Sequence, residues 1–91
     1  MDLFRVDVSA DPPKSVTLAF VGHLNRCHLP EVNQALTRAS AQSPRVIIDL
    51  RELRLLDRDS VLFLRACRDR GIPFVNTPPF ILRWLNQCYT N

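Results

Sequence analysis

The amino-acid sequence predicts an α/β fold, with a mixed, mostly parallel four-stranded sheet and three helices. Short runs of alternating or β-branched apolar residues take turns with segments whose apolar residues recur at helical spacing, which is typical of βαβ units. The first two runs are separated only by a turn, so we expect them to pair as an antiparallel hairpin. With 91 residues, 46% of them apolar and 23% charged, residues 1–91 are expected to form a single domain.

Two short runs near the start of the chain predict the hairpin strands. Leu3–Val8 alternates between apolar and charged residues, which indicates a half-buried strand. Residues 9–14 contain two prolines and predict a turn. Val16–Val21 alternates again and predicts the second strand, which Gly22 is expected to end.

The first helix and the third strand come next. Leu29–Ala41 has apolar residues at helical spacing, and its early Pro30 suits a first turn because no N–H is needed there. Residues 43–44, Ser and Pro, are expected to end this helix. Val46–Leu50 is a short β-branched run, as expected for an interior parallel strand.

After a predicted loop at residues 51–58, the pattern returns to a helix over Asp59–Arg70, with Gly71 placed to cap its C-terminus. Ile72–Asn76 predicts the last strand, and Thr77 is a plausible cap for the last helix. The element order is therefore β-β-α-β-α-β-α, with the helices mainly on one face of the sheet. The predicted inner face of the last helix consists of Ile81, Trp84, Leu85 and Cys88.

Charge and cysteine usage narrow the class of protein. The 12 basic residues, 11 of them arginine, are interleaved with 9 acids and give a net charge of only +3, so we do not expect nucleic-acid binding. The 3 cysteines lack paired spacing, which favours buried or half-buried free thiols in a reducing compartment. The start of the chain is not typical of a signal peptide, and no apolar run approaches the ~20 residues of a membrane span. We therefore expect a cytoplasmic protein without a membrane span.

The sequence offers no clear catalytic or metal centre. His23, Cys27 and His28 lie in one loop and have side chains that can bind zinc, but a stable zinc site needs four ligands and no fourth is evident nearby. A polar loop is the simpler interpretation. With 2 glycines there is too little glycine for a phosphate-binding loop, and no nucleophile–base pair stands out. We expect no enzyme activity, no metal and no cofactor.

Four motifs occur in order along the chain: Val21–Asn25 after the second predicted strand, Ile48–Leu50, Leu56–Ser60, and Val75–Pro79 after the fourth. Together they resemble the STAS domain, the domain of bacterial anti-sigma factor antagonists, over about residues 3–89. The usual family pattern is Gly-Glu-Leu-Asp, then Asp-Ser-Ser-Gly, then Asn-x-x-Pro. The resemblance implies a STAS-like fold and a non-enzymatic protein-interaction module for partner switching in transcription regulation.

The departures from the family pattern fall where the switch would operate. Asp57 matches the family Asp, Asp59 occupies the position of the serine that a partner kinase phosphorylates, and Ser60 replaces the family Gly. Asn25 replaces the usual Asp in the first loop. Asp59 is therefore either a partial mimic of phosphoserine or simply a first-turn acid or cap that interacts with the helix dipole. Ser60 is the alternative phosphoacceptor if the register shifts.

The resemblance also implies a partner surface made by the first loop and the start of the second helix. The partner would be an anti-sigma factor with serine-kinase activity or another regulatory protein; alternatively, the chain is a cytoplasmic STAS subunit of an ABC-type lipid transport complex that docks an ATPase subunit. A third possibility is a small scaffold without a phosphorylation role.

Val61 and Leu62 fall outside the core stripe of Ser60, Phe63, Leu64 and Cys67, so they either widen the buried face or form the apolar centre of the surface. A homodimer through Phe80, Ile81, Trp84, Leu85 and Tyr89 is also possible. The predicted partner-binding residues are Gly22, His23, Leu24, Asn25, Asp57, Arg58, Asp59, Ser60, Val61, Leu62 and Arg65.

Overall fold

The described residues form a mixed five-stranded sheet and three α-helices, which confirms the predicted α/β class. The structure is a computed structural model and describes residues 3–11 and 14–87. None of the helices formed by these residues is long and apolar enough to cross a membrane. The elements are β1 (Phe4–Asp11), β2 (Ser15–Leu24), a 3-10 turn (Arg26–His28), α1 (Leu29–Gln42), β3 (Val46–Asp49), β4 (Leu53–Leu56), α2 (Arg58–Asp69), β5 (Phe74–Val75) and α3 (Pro79–Asn86).

The first two strands form the antiparallel hairpin that the sequence predicts. β1 pairs with β2 from Phe4 opposite Gly22 to Asp11 opposite Ser15. Val6 lies opposite Phe20, so the apolar residues of both strands share one face of the sheet. This hairpin places β1 at the outer edge, because the strand order is β1-β2-β3-β5.

The remaining strands are parallel, and one face of the sheet carries the core. β2 pairs with β3, β3 pairs with β5, and both pairings are parallel. Along β2, Val16, Leu18 and Phe20 are buried, whereas the residues between them are only partly covered. This alternation indicates that the helices cover one face of the sheet, as expected from the sequence.

The path of β2 beyond Gly22 differs from the prediction. Gly22 does not end the strand, which continues to Leu24. It has a φ of +100°, and a Cβ at this position would lie 2.1 Å from the carbonyl oxygen of Leu3, so only glycine fits. From Gly22 onward β2 leaves β3 and pairs in parallel with β4, with a register shift between Gly22 and His23.

The strand β4 lies in the segment predicted to be a loop. A tight turn brings it back beside β2: the Leu53 N–H donates to the Leu50 carbonyl oxygen at 3.2 Å, and the Gly22 N–H donates to the Glu52 carbonyl oxygen at 3.1 Å. Leu53 and Leu56 are buried and the two residues between them are exposed. The sheet therefore has one strand more than predicted.

The helices fall close to their predicted positions, with different caps. α2 begins at Arg58, and its cap is Asp57. α3 begins at Pro79 after Pro78, so Thr77 does not cap it. Gly71 follows α2 with a φ of +88°, as expected of a C-terminal glycine.

The last predicted helical face is only partly described. Ile81 and Leu85 are buried, whereas Trp84 is 38% exposed; Cys88 and Tyr89 lie outside the described residues. The other two cysteines are free thiols, Cys67 buried and Cys27 exposed, so the expectation of covered thiols holds for Cys67 and is wrong for Cys27. Burial raises the pKa of the Cys67 thiol.

Candidate functional site

A single carboxylate joins the first loop to the start of α2. Asp57 Oδ1 accepts a hydrogen bond from the Ser60 N–H at 2.9 Å, which caps the helix, and Asp57 Oδ2 accepts one from the Arg26 N–H at 3.0 Å. The Asp57 N–H in turn donates to the Leu24 carbonyl oxygen at 3.2 Å. Two of these three hydrogen bonds, those to Arg26 and Leu24, hold Asp57 against a segment more than 30 positions earlier in the sequence, and the third is local to α2.

These hydrogen bonds keep Asp57 charged. Partial burial alone would raise the pKa of this carboxyl, but hydrogen bonding from Ser60 and from the Arg26 N–H outweighs burial, so its pKa lies below the ordinary value of 3.8. The negative charge also lies at the N-terminus of α2, where the helix dipole favours an anion. Asp57 is therefore a fixed structural anion at neutral pH.

The first loop has its own internal support. Asn25 Oδ1 accepts from the Cys27 N–H at 2.9 Å, and His28 Nδ1 accepts from the Asn25 N–H at 3.2 Å, which together form a capping box for the 3-10 turn. The His28 ring also stacks on Phe4, with the ring centroids 4.9 Å apart. Asn25 thus shapes this loop.

Zinc ligation competes with this arrangement, because His28 uses its Nδ1 to hold the loop. His23, Cys27 and His28 are the three residues of the loop that the sequence marks as possible ligands. Among the described residues, no three His, Cys, Asp or Glu side chains group closely enough to hold a metal ion. The loop is better understood as a polar segment that Asp57 and Asn25 keep in shape.

Between the first loop and β4 lies a shallow cavity of about 190 Å³, which we call the Asp57 groove. Leu55, 56% exposed, lies on its rim, and Leu62 on α2 is 39% exposed. Leu55 thus offers exposed apolar area at the edge of the groove. The residues lining the Asp57 groove are His23, Leu24, Asn25, Leu55, Leu56 and Asp57.

The two residues after Arg58 have opposite environments. Asp59, the second residue of α2, is exposed. Ser60 is fully buried, and its hydroxyl makes no hydrogen bond of good geometry among the described residues, although it lies close enough to the Asp57 carboxylate to help lower the pKa of that group. The side chain of Asp59 is therefore accessible from solvent, whereas that of Ser60 becomes accessible only if the start of α2 opens.

The structure brings most of the predicted partner-binding residues together. Gly22 through Asn25 lie on β2 and its end, and Asp57 lies directly beside them. Val61 is fully buried and packs in the core, so the wide buried face is the better interpretation of that residue. Arg65 is half-buried one turn after Val61, and Arg58 and Leu62 are exposed.

The predicted partner-binding residues do not include Arg26, Leu55 and Leu56, although Arg26 lies in the first loop, which the resemblance implies as part of the partner surface. The backbone of Arg26 binds Asp57, and the two leucines form one wall of the groove. The signal for the leucines was present in the apolar residues of 53–56, but four residues of which only the first and last are buried do not show a clear period of two.

Comparisons of this chain with protein-family models, with curated proteins and with solved structures found no match.

Proposed function

We propose that this chain is a STAS-like, non-enzymatic interaction module that acts as a partner-switching regulator of transcription. The proposal rests on the sequence motifs and on one observation: Asp57 joins the first loop to α2 beside an apolar groove. Leu55 and Leu62 are exposed apolar side chains, and the exposed arginines at 26, 54 and 58 are each adjacent in sequence to a residue that lines the groove. Such a surface suits a partner with apolar anchors and acidic flanking residues.

Asp59 gives this module a permanent negative charge at the position where the family carries a regulated serine. One carboxylate supplies a charge of −1, against about −1.5 to −2 for a phosphoserine. The exposed position of Asp59 on the second residue of α2 lets a docked partner sense that charge. We infer a module held in a state that resembles the phosphorylated one.

The same acid favours a second candidate function. Because a serine kinase cannot modify aspartate, the Asp57 groove would suit constant docking as well as switching. A STAS subunit of an ABC-type lipid transport complex, which docks an ATPase subunit, needs such a constant surface. The two candidates differ in the identity of the partner and in its sensitivity to the charge at position 59.

Affinity capture with matched baits tests the docking surface. The baits are wild type, Leu55→Asp on the groove rim, and Leu82→Asp on α3, where Leu82 is 49% exposed. A true partner is retained by wild type and by Leu82→Asp and lost by Leu55→Asp. A protein that all three baits retain equally does not use the groove, and this result would contradict the proposal.

A second experiment tests the role of the charge. Binding of the captured kinase-like partner is measured for wild type, Asp59→Ser and the control Asp69→Ser, which changes an exposed acid at the other end of α2. We expect tighter binding only for Asp59→Ser. If wild type binds as tightly as Asp59→Ser, Asp59 is not a phosphoserine mimic. Capture of a transport ATPase instead of a kinase-like protein would support the second candidate.

A further inference from the structure

The outer edge of the sheet is a long strand with one neighbour among the described residues. β1 has 8 residues and pairs only with β2 within that part of the chain. An open edge presents a row of backbone donors and acceptors to which another strand can add. The question is which strand fits it.

The hydrogen-bond pattern shows which residues of β1 face outward. The Val16 N–H donates to the Arg45 carbonyl oxygen at 3.0 Å, so even-numbered residues of β2 direct their backbone groups away from β1. The His23 N–H donates to the Leu3 carbonyl oxygen at 2.9 Å, so odd-numbered residues of β2 pair with odd-numbered residues of β1. The backbone groups that face the open edge therefore belong to Phe4, Val6, Val8 and Ala10.

The side chains of β1 are arranged symmetrically about Val6: apolar residues lie two positions away on either side, and opposite charges lie one position away, at Arg5 and Asp7. We infer that β1 binds β1 of a second copy of this chain, antiparallel and centred on Val6. A two-fold axis at Val6 places Arg5 opposite Asp7 of the second copy, and Asp7 opposite its Arg5. Phe4 then lies opposite Val8 in both halves.

The backbone pattern agrees with this register. Because the backbone N–H and C=O groups of Val6 face the open edge, the Val6 residues of the two copies exchange backbone hydrogen bonds. Phe4 of one copy and Val8 of the other do the same. Arg5 and Asp7 then occupy non-hydrogen-bonded pairs, in which facing side chains are closest. Within one chain Arg5 Nε already lies 3.0 Å from Asp7 Oδ1, with the two side chains 68% and 52% exposed, so both remain accessible to a second copy.

The same charges exclude neighbouring registers. Centring the pair on Arg5 would place the two arginines opposite each other, and centring it on Asp7 would place the two aspartates opposite each other. Like charges directly across strands are destabilising. The charges of Arg5 and Asp7 thus disfavour the addition of an arbitrary strand to this edge, whereas they favour the antiparallel addition of β1 from a second copy.

The apolar face gains cover from the same pairing. Val8 is 60% exposed and borders a cavity of about 130 Å³ between the hairpin and α1. Phe4 of the second copy would lie directly opposite Val8 and extend the core face across the two-fold axis. A pairing of this size buries less than a standard interface, so we expect a weak dimer with a dissociation constant between about 10 µM and about 1 mM.

Charge reversal with rescue tests this dimer. Sedimentation equilibrium over the stated concentration range gives the dissociation constant of wild type, Arg5→Asp, Asp7→Arg, the double exchange Arg5→Asp/Asp7→Arg, and the control Asp69→Arg. Each single reversal sets like charges opposite each other twice, so we expect it to weaken the dimer by about tenfold or more. The double exchange restores opposite charges and should return the constant to within about threefold of wild type, and the control should leave it unchanged.

A backbone variant gives an independent measurement. Val8→Pro removes a donor that faces the open edge and that β2 does not use, so circular dichroism should show a folded monomer while the dimer is lost. If this variant fails to fold, the charge-exchange series still decides the question. A wild-type protein that stays strictly monomeric at about 1 mM, or a double exchange that does not restore dimerisation, overturns the inference.

Discussion

Replacing Asp57 with alanine removes two hydrogen-bond acceptors that hold different parts of the chain. One bond caps α2 through the Ser60 N–H at 2.9 Å, and the other fixes the first loop through the Arg26 N–H at 3.0 Å. Loss of a helix cap costs about 0.5–2 kcal/mol. Loss of the second bond costs about 0.5–1.5 kcal/mol. We therefore expect Asp57→Ala to lower the free energy of unfolding by about 2 kcal/mol, which corresponds to about 8–16 °C in Tm for a domain of this size.

Two matched variants separate the contributions. Asp57→Asn keeps one carbonyl oxygen, which can accept only one of the two bonds well, so its loss of stability should be about half as large. Asp59→Ala removes an exposed acid two positions later and should cost only about 0.3–1 kcal/mol, the value of a charge near a helix N-terminus. The assay is urea unfolding followed by circular dichroism. If Asp57→Ala is no more destabilising than Asp59→Ala, the bridging role of Asp57 is wrong.

Three further predictions concern pH, backbone and burial. The pKa of Asp57 in the folded protein lies below 3.8, its value in the unfolded chain. The contribution of Asp57 to stability is therefore fully present above the unfolded-state pKa and is lost as the pH falls through the folded-state pKa. The difference in unfolding free energy between wild type and Asp57→Asn should accordingly narrow in urea titrations at acid pH and stay constant near neutrality. Gly22→Ala should lower the free energy of unfolding in urea by about 3 kcal/mol or more, because the new Cβ would lie 2.1 Å from the Leu3 carbonyl oxygen at a φ of +100°. A loss below about 1 kcal/mol would mean that the strand does not turn as described. Ser60→Ala should change the unfolding free energy by less than about 1 kcal/mol, since its buried hydroxyl makes no hydrogen bond of good geometry among the described residues, and a larger loss would show that the hydroxyl is hydrogen-bonded in solution.

The sequence was sufficient for the elements whose period is clear. The β1–β2 hairpin and all three predicted α-helices lie near their predicted positions because alternation or helical spacing persists over enough residues to be read, and β3 does so because its run is β-branched. β4 could not be read in this way, because it has 4 residues and its position depends on a turn that hydrogen bonds to Gly22. A glycine at position 22 is compatible in sequence with a strand end or with a bulge. Only the close approach of the Leu3 carbonyl oxygen distinguishes the two, and this approach is visible only in the structure.

The candidate site divides along the same line. The motifs led to the first loop and the start of α2, and these segments do lie side by side. The identity of the cap could not be predicted, since Asp57 and Asp59 are both acids near a helix start and propensity does not distinguish them. Val61 illustrates the limit for side chains, because it is fully buried in the core although it falls outside the stripe that helical spacing predicts.

β2 pairs in parallel first with β3 and then with β4. The length of the turn between β3 and β4 therefore determines which side chains line the Asp57 groove. The three residues between β3 and β4 fix which residue of β4 lies opposite Gly22, and in this chain it is Leu53. Removing one of those three residues would move Arg54 into that buried position and present a different set of side chains to the Asp57 groove. An insertion or deletion in this one short turn would therefore change the lining of the groove without any substitution in the groove itself.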